Sequence, residues 1–131
     1  MKGIVLVVDD DASIRSFLRD LLEILGYRVV EARNGGDALE KLAEQTPSLI
    51  ILDKMMPEMD GIAFAQELQC RKLCYPLLAC SASGTAQEFA EQIHAIGYLE
   101  KPFHISQLLN IISQWKPRHG WFTHPGSDDD R

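Results

Sequence analysis

The chain alternates between short runs that are apolar at every position and longer stretches that are apolar at every third or fourth. Ile4-Val5-Leu6-Val7-Val8 and Leu49-Ile50-Ile51-Leu52 are unbroken apolar runs, the pattern of parallel strands buried on both faces. Between them, Ile14, Phe17, Leu18, Leu21, Leu22 and Leu25 fall on one helix face, and Gly26 stops the helix they predict. Tyr27 to Ala32 reads as a second strand, more polar than the first and so expected at a sheet edge. Asn34 stands where it can cap a second helix with Ala38, Leu39 and Leu42 on its inner face, and Pro47 ends that unit.

The second half repeats the alternation. After the third strand comes a loop containing Pro57, and Asp60-Gly61 opens a helix through Ile62, Ala65 and Leu68, with Asp60 as its cap. Pro76 to Cys80 is a fourth strand, ending on Ser81-Ala82-Ser83-Gly84. Thr85 and Glu88 have the Thr-x-x-Glu spacing of a capping box. The helix they start uses Phe89, Ile93 and Ile96; it is the least apolar of the five and is expected to pack loosely. Tyr98-Leu99-Glu100 is a short fifth strand that ends on Lys101-Pro102. The last helix uses Ile105, Leu108, Leu109 and Ile112, and Pro117 closes it.

Five strand-helix alternations predict an α/β domain, a parallel sheet with helices on both faces. Right-handed crossovers leave few strand orders, of which 2-1-3-4-5 is a common one. Ligands of such sheets bind at the carboxyl ends of the strands, near the point where the order reverses. The strand ends therefore carry the chemistry. The first ends on Asp9-Asp10, the third on Asp53, the fourth on Ser81 and the fifth on Lys101. A carboxylate such as Asp53 at the end of a buried strand is costly unless something there needs it.

Carboxylates brought this close repel one another unless a cation joins them. An all-oxygen set with few protein ligands suits Mg²⁺. A carboxylate can also act as a nucleophile and form an acyl phosphate. A lysine ammonium and a serine hydroxyl are groups that hold a phosphate. Asp53 as acceptor, Mg²⁺ as charge partner, and Lys101 and Ser81 as phosphate-holding groups make a phosphoryl-accepting site.

Composition narrows the setting. A chain of 131 residues with 46% hydrophobic content is long enough for one domain with its own core. The net charge of −6 argues against general affinity for nucleic acid. No run of 18 apolar residues suggests a membrane span, and no secretory leader pattern is visible, so a cytoplasmic protein is expected. The three cysteines complete no zinc set with the histidines and are expected reduced, with Cys80 in the core. The four histidines, His94, His104, His119 and His124, lack ligand spacing and read as surface residues. Residues 117–131 lose all periodicity and are expected to be a disordered tail, within which Trp121-Phe122 could dock on the domain or a partner.

VLVVDDDASIR, IILDKMMPEMDG, the Ser81-Ala82 pair and YLEKPF, in this order and at these strand ends, resemble the signature blocks of the two-component response regulator receiver domain. The resemblance runs from residue 3 to about 116, so residues 1–116 are expected to form the receiver. It implies a flavodoxin-like, doubly wound (βα)5 fold of order 2-1-3-4-5. It also implies a phosphorelay function rather than an enzyme acting on an external substrate. Asp53 matches the phosphorylated aspartate. Asp10 matches the direct Mg²⁺ ligand, Asp9 the ligand that acts through water, and the backbone carbonyl of Met55 the remaining ligand. Ser81 matches the hydroxyl switch, the backbone N–H of Ala82 a further phosphoryl contact, Tyr98 the aromatic switch and Lys101 the site lysine. The Lys101-Pro102 bond matches one that is usually cis.

The partners so implied are a sensor histidine kinase or phosphotransfer protein as donor, and a downstream protein on the face of helix 4, strand 5 and helix 5. No direct nucleic-acid or membrane contact is implied, and the chain is expected to be a monomer or a phosphorylation-dependent dimer. Two departures stand out. His104 replaces the acidic cap of the last helix, and His94-Ala95-Ile96-Gly97 replaces the family's Gly-Ala-Asp-Asp, leaving Ile96 as a candidate exposed contact. Other classes fit less well. A haloacid-dehalogenase-type phosphatase needs a second aspartate where Met55 stands. A flavodoxin-like flavin protein needs a Ser/Thr/Gly-rich loop where Asp9-Asp10-Asp11 stands. An inactive scaffold receiver is opposed by the presence of every acidic, hydroxyl and lysine position.

Overall fold

A computed structural model describes residues 2–115, the side chain of Trp115 excepted. The expected tail over 117–131, with Trp121 and Phe122, lies outside the described residues. Five strands and five helices alternate: β1 Ile4–Val8, α1 Ala12–Ile24, β2 Arg28–Ala32, α2 Gly35–Glu44, β3 Leu49–Asp53, α3 Gly61–Cys70, β4 Leu77–Ala82, α4 Ala86–Ile93, β5 Gly97–Lys101 and α5 Ile105–Trp115. The sheet is parallel with order β2-β1-β3-β4-β5. The more polar β2 lies at an edge, as its sequence indicates.

Strand residues point alternately to the two faces, and two cores result. Val5, Val7, Leu49, Ile51, Leu78, Cys80 and Leu99 meet Leu18 and Leu22 of α1 and Leu108 and Ile112 of α5. Leu6, Val8, Ile50, Leu52 and Ala79 face Ala38 of α2, Phe64 and Leu68 of α3, and Phe89, Ala90 and Ile93 of α4. With both faces covered, every residue of β3 is buried, Asp53 included. The sheet thereby lifts an acidic group to its carboxyl edge without exposing it.

The helix ends follow local chemistry. Asp11, Asn34 and Asp60 each accept a backbone N–H of the first turn they precede, which satisfies donors the helix cannot. Gly26, at φ 100°, ends α1: its N–H donates to the Glu23 carbonyl and that of Tyr27 to the Leu22 carbonyl, a Schellman closure. At α5, which lacks an acidic cap, Gln107 accepts the backbone N–H of His104 at 2.9 Å.

Helix α4 departs from expectation three times. Thr85 makes no side-chain cap on it, and its backbone, at φ −121° and ψ −15°, lacks the extended form of the other caps. Nor is α4 loosely packed: Ala86, Phe89, Ala90 and Ile93 are buried, because the small alanines bring the helix close against the sheet. Ile96 is not part of the helix. The chain turns at His94, at φ 57°, and the Ile96 N–H donates to the Leu77 carbonyl to lead into β5, leaving its side chain 42% exposed. Strand β4 runs further than its apolar residues indicate, so Ser81 lies within it.

Candidate phosphoryl-acceptor site

Strand β1 delivers Asp9, β3 Asp53, β4 Ser81 and β5 Lys101 to one edge of the sheet. The Lys101 Nζ donates to Asp9 Oδ2 at 2.8 Å and to Asp53 Oδ1 at 3.0 Å. Asp9 and Asp53 are buried, Lys101 is partly buried and Asp10 is exposed. The second oxygen of Asp9 accepts the Asp11 N–H at 2.9 Å. Asp9, Asp10 and Asp53 can each offer one oxygen within 4.8 Å of the others. Three hard oxygen donors, one open to solvent, fit Mg²⁺, which retains several waters.

The electrostatics show what the cluster lacks. Burial, and then the charge of Asp9, push the Asp53 carboxyl up to about 6; the Lys101 ammonium opposes both without cancelling them. Burial also acts to lower the Lys101 pKa, but its bonds to Asp9 and Asp53 win and hold it above the ordinary lysine value. The lysine therefore stays charged, yet one cation does not neutralise the carboxylates around it. The neighbouring Cys80, paired in register with Asp53, is pushed up to about 12 by burial and is an inert core thiol.

The other expected residues fall into two groups. Ser81 is buried on β4, one residue past Cys80, the register partner of Asp53, and its hydroxyl lies 2.7 Å from that of Thr85. Ala82 ends β4 opposite Lys101. The Met55 side chain is 69% exposed in the loop after β3. Tyr98, 39% exposed, faces outward and lines a shallow groove with Ala90 and His94 of the α4 region; it is not a core aromatic. The Lys101-Pro102 bond is cis.

Three residues given no role in the site from sequence support it. Arg15 donates from its guanidinium to the Asp9 carbonyl at 2.7 Å and from Nε to Glu31 at 3.1 Å, so it ties the acidic turn to the edge strand. Burial acts to raise the Glu31 pKa, but hydrogen bonds from Arg19 and Arg15 prevail and hold it below the ordinary value. Gly61 donates its N–H to the Lys54 carbonyl. A Cβ there would stand 2.5 Å from the Asp53 carbonyl oxygen and 2.6 Å from Phe89 Cζ. Thr85 is the third. A basic residue one turn into α1 and a glycine after Asp60 are visible in the sequence, but their contacts depend on β2 and α4 arriving from elsewhere.

A doubly wound sheet with this acidic and lysine edge defines a class, and comparison with known proteins agrees. Residues 5–113 match the family model of the response regulator receiver domain, and the chain belongs to that family. It is 36% identical over 113 residues to the chemotaxis protein CheY of Bacillus subtilis, covering 84% of this chain and 94% of that protein. It is 40% identical over 103 residues to the alkaline phosphatase synthesis transcriptional regulatory protein PhoP of the same organism, covering 76% of this chain and 42% of PhoP. The chain thus spans less than half the length of PhoP. Among solved structures, the Vibrio cholerae chemotaxis protein CheY4 is similar with a TM-score of 0.76 and 31% identity, over 87% of this chain and 98% of that one. The chain is a receiver domain of two-component signalling.

Proposed function

We propose that Asp53 accepts a phosphoryl group from a sensor histidine kinase or phosphotransfer protein, and that the domain then signals through α4, β5 and α5. The observation that carries the reading is the buried Asp53 carboxyl, bonded to Lys101 and crowded by Asp9. One Asp53 oxygen attacks phosphorus. The donor's bond to phosphorus breaks, and the donor leaves with the electron pair. Lys101 holds a phosphoryl oxygen, as do the Ser81 hydroxyl and the Ala82 N–H. Asp9, Asp10, Asp53 and the Met55 carbonyl would hold Mg²⁺, which when bound offsets the charge of the carboxylates and the transferred group. The chain catalyses its own modification and its slow reversal, and acts on no external substrate.

Ile96, Tyr98, Ile105 and Leu109 are exposed on the α4-β5-α5 face and suit a protein partner or a second, phosphorylated copy. PhoP is by name a transcriptional regulatory protein. Control of transcription through a longer chain is compatible with the same receiver, whose own acidic charge disfavours nucleic acid. Among the described residues no helix is long and apolar enough to cross a membrane, and a cytoplasmic location fits the proposed donor. The test is incubation with acetyl phosphate, with Mg²⁺ or with chelator, read by intact mass. A Mg²⁺-dependent gain of one phosphoryl group supports the reading. No gain, under conditions that modify an established receiver, overturns it.

A further inference from the structure

Ser81 and Thr85 form a hydrogen-bonded chain whose direction is fixed. A threonine hydroxyl has one hydrogen. Thr85 Oγ1 spends it on the Ala82 carbonyl at 2.8 Å. The 2.7 Å contact between the two hydroxyls is therefore donated by Ser81. The Ser81 proton is committed to Thr85, while the acceptor Asp53 is held by Lys101. Ser81 is 3% exposed, so water offers its hydroxyl little alternative.

The same bond explains why α4 has no side-chain cap. Thr85 precedes the helix with Glu88 three residues on, the capping-box spacing. Its hydroxyl, turned back toward β4, is unavailable to the first turn. Among the described residues, the caps Asp11, Asn34 and Asp60 show no such competing contact. The Thr85 hydroxyl is thus turned to β4, donating to Ala82 and accepting from Ser81, and not to the first turn of α4.

We propose that Thr85 is a positioning residue for phosphoryl capture: it withholds the Ser81 hydroxyl from the phosphoryl position, and occupancy of Asp53 requires that bond to break. The inference rests on Asp53 being the phosphoryl acceptor. Ser81 can donate to a phosphoryl oxygen only after leaving Thr85. Capture at the sheet edge is thereby coupled to the start of the helix that carries the output face.

The test is the rate of Asp53 phosphorylation by acetyl phosphate with saturating Mg²⁺, in the full chain and five variants. Thr85→Val keeps the shape and removes the hydroxyl. It should speed phosphorylation by roughly threefold to tenfold, the weight of one neutral hydrogen bond in a population ratio. Thr85→Ser, which retains the hydroxyl, should restore the wild-type rate. Ser81→Ala should slow the reaction, and adding Thr85→Val to it should then change nothing. Thr85→Ala serves as a second hydroxyl deletion, and thermal melts confirm that each variant is folded. An unchanged rate in both Thr85→Val and Thr85→Ala overturns the proposal while leaving the acceptor reading intact. So does an equal acceleration with and without Ser81, which would make Thr85 merely structural. Absence of modification in the wild type overturns the acceptor reading and this proposal together.

Discussion

Replacing Asp53 by Asn should change how stability depends on pH, and the size follows from the site. Asp53 titrates near 6 in the folded chain against an ordinary value of 3.8. Because the folded value is the higher one, the folded state holds the proton more tightly. Its contribution to stability is full below the unfolded pKa and is lost as pH rises through about 6. At about 1.36 kcal/mol per tenfold, the whole loss is about 3 kcal/mol. Roughly 1.4 kcal/mol of it falls between pH 5 and pH 8. The Asn variant lacks this titration but keeps the others. The assay is urea unfolding of both chains in chelator across that range, reading the difference between the two curves. Wild type should lose about 1.4 kcal/mol relative to Asp53→Asn on going from pH 5 to pH 8. Mg²⁺ at ten times its dissociation constant should return a similar amount to wild type at pH 8, about 1.4 kcal/mol, and far less to the variant. A flat difference curve in chelator, or one that rises with pH, would refute the argument that burial and Asp9 outweigh Lys101.

Other substitutions probe how the site is held. Gly61→Ala places a methyl against the Asp53 carbonyl and the Phe89 ring and should cost about 3 kcal/mol by overpacking, measured by urea unfolding. Asp11→Ala removes the acceptor for the Ser13 and Ile14 N–H groups; its midpoint shift should correspond to about 1 kcal/mol. Arg15→Met deletes the charged donor to the Asp9 carbonyl and should destabilise by about 1.5 kcal/mol. If Arg15→Met unfolds like wild type, the tie between the acidic turn and β2 carries no weight.

Periodicity made the fold readable because each strand and helix buries a face of its own. The unbroken apolar runs of β1 and β3 specify a sheet covered on both sides, and the polar residues of β2 specify its edge. The acidic and lysine positions were readable because a parallel sheet collects its strand ends, so Asp9, Asp10, Asp53 and Lys101 needed only the strand order to meet. Helix α4 was misread because the moderate apolar content of Ala86–Ile93 hides how closely alanines approach a sheet. Thr85 was misread because a capping box is a local rule, and the competing acceptor and donor, Ala82 and Ser81, sit on the preceding strand. Arg15 and Gly61 act through contacts with elements distant in sequence, which no spacing along their own segments encodes. These misreadings cluster where α4 meets the site, the place where local preference yields to an alternative bond.

The phosphoryl group can be located on its atom by chemical trapping. The chain would be treated with acetyl phosphate and Mg²⁺, reduced with borohydride, which converts an aspartyl phosphate to homoserine, and mapped by peptide mass spectrometry. Phosphorylation of Asp53 should leave homoserine at position 53, absent when Mg²⁺ is chelated. Homoserine at Asp9 or Asp10 instead, or a stable phosphoester on Ser81, would contradict it.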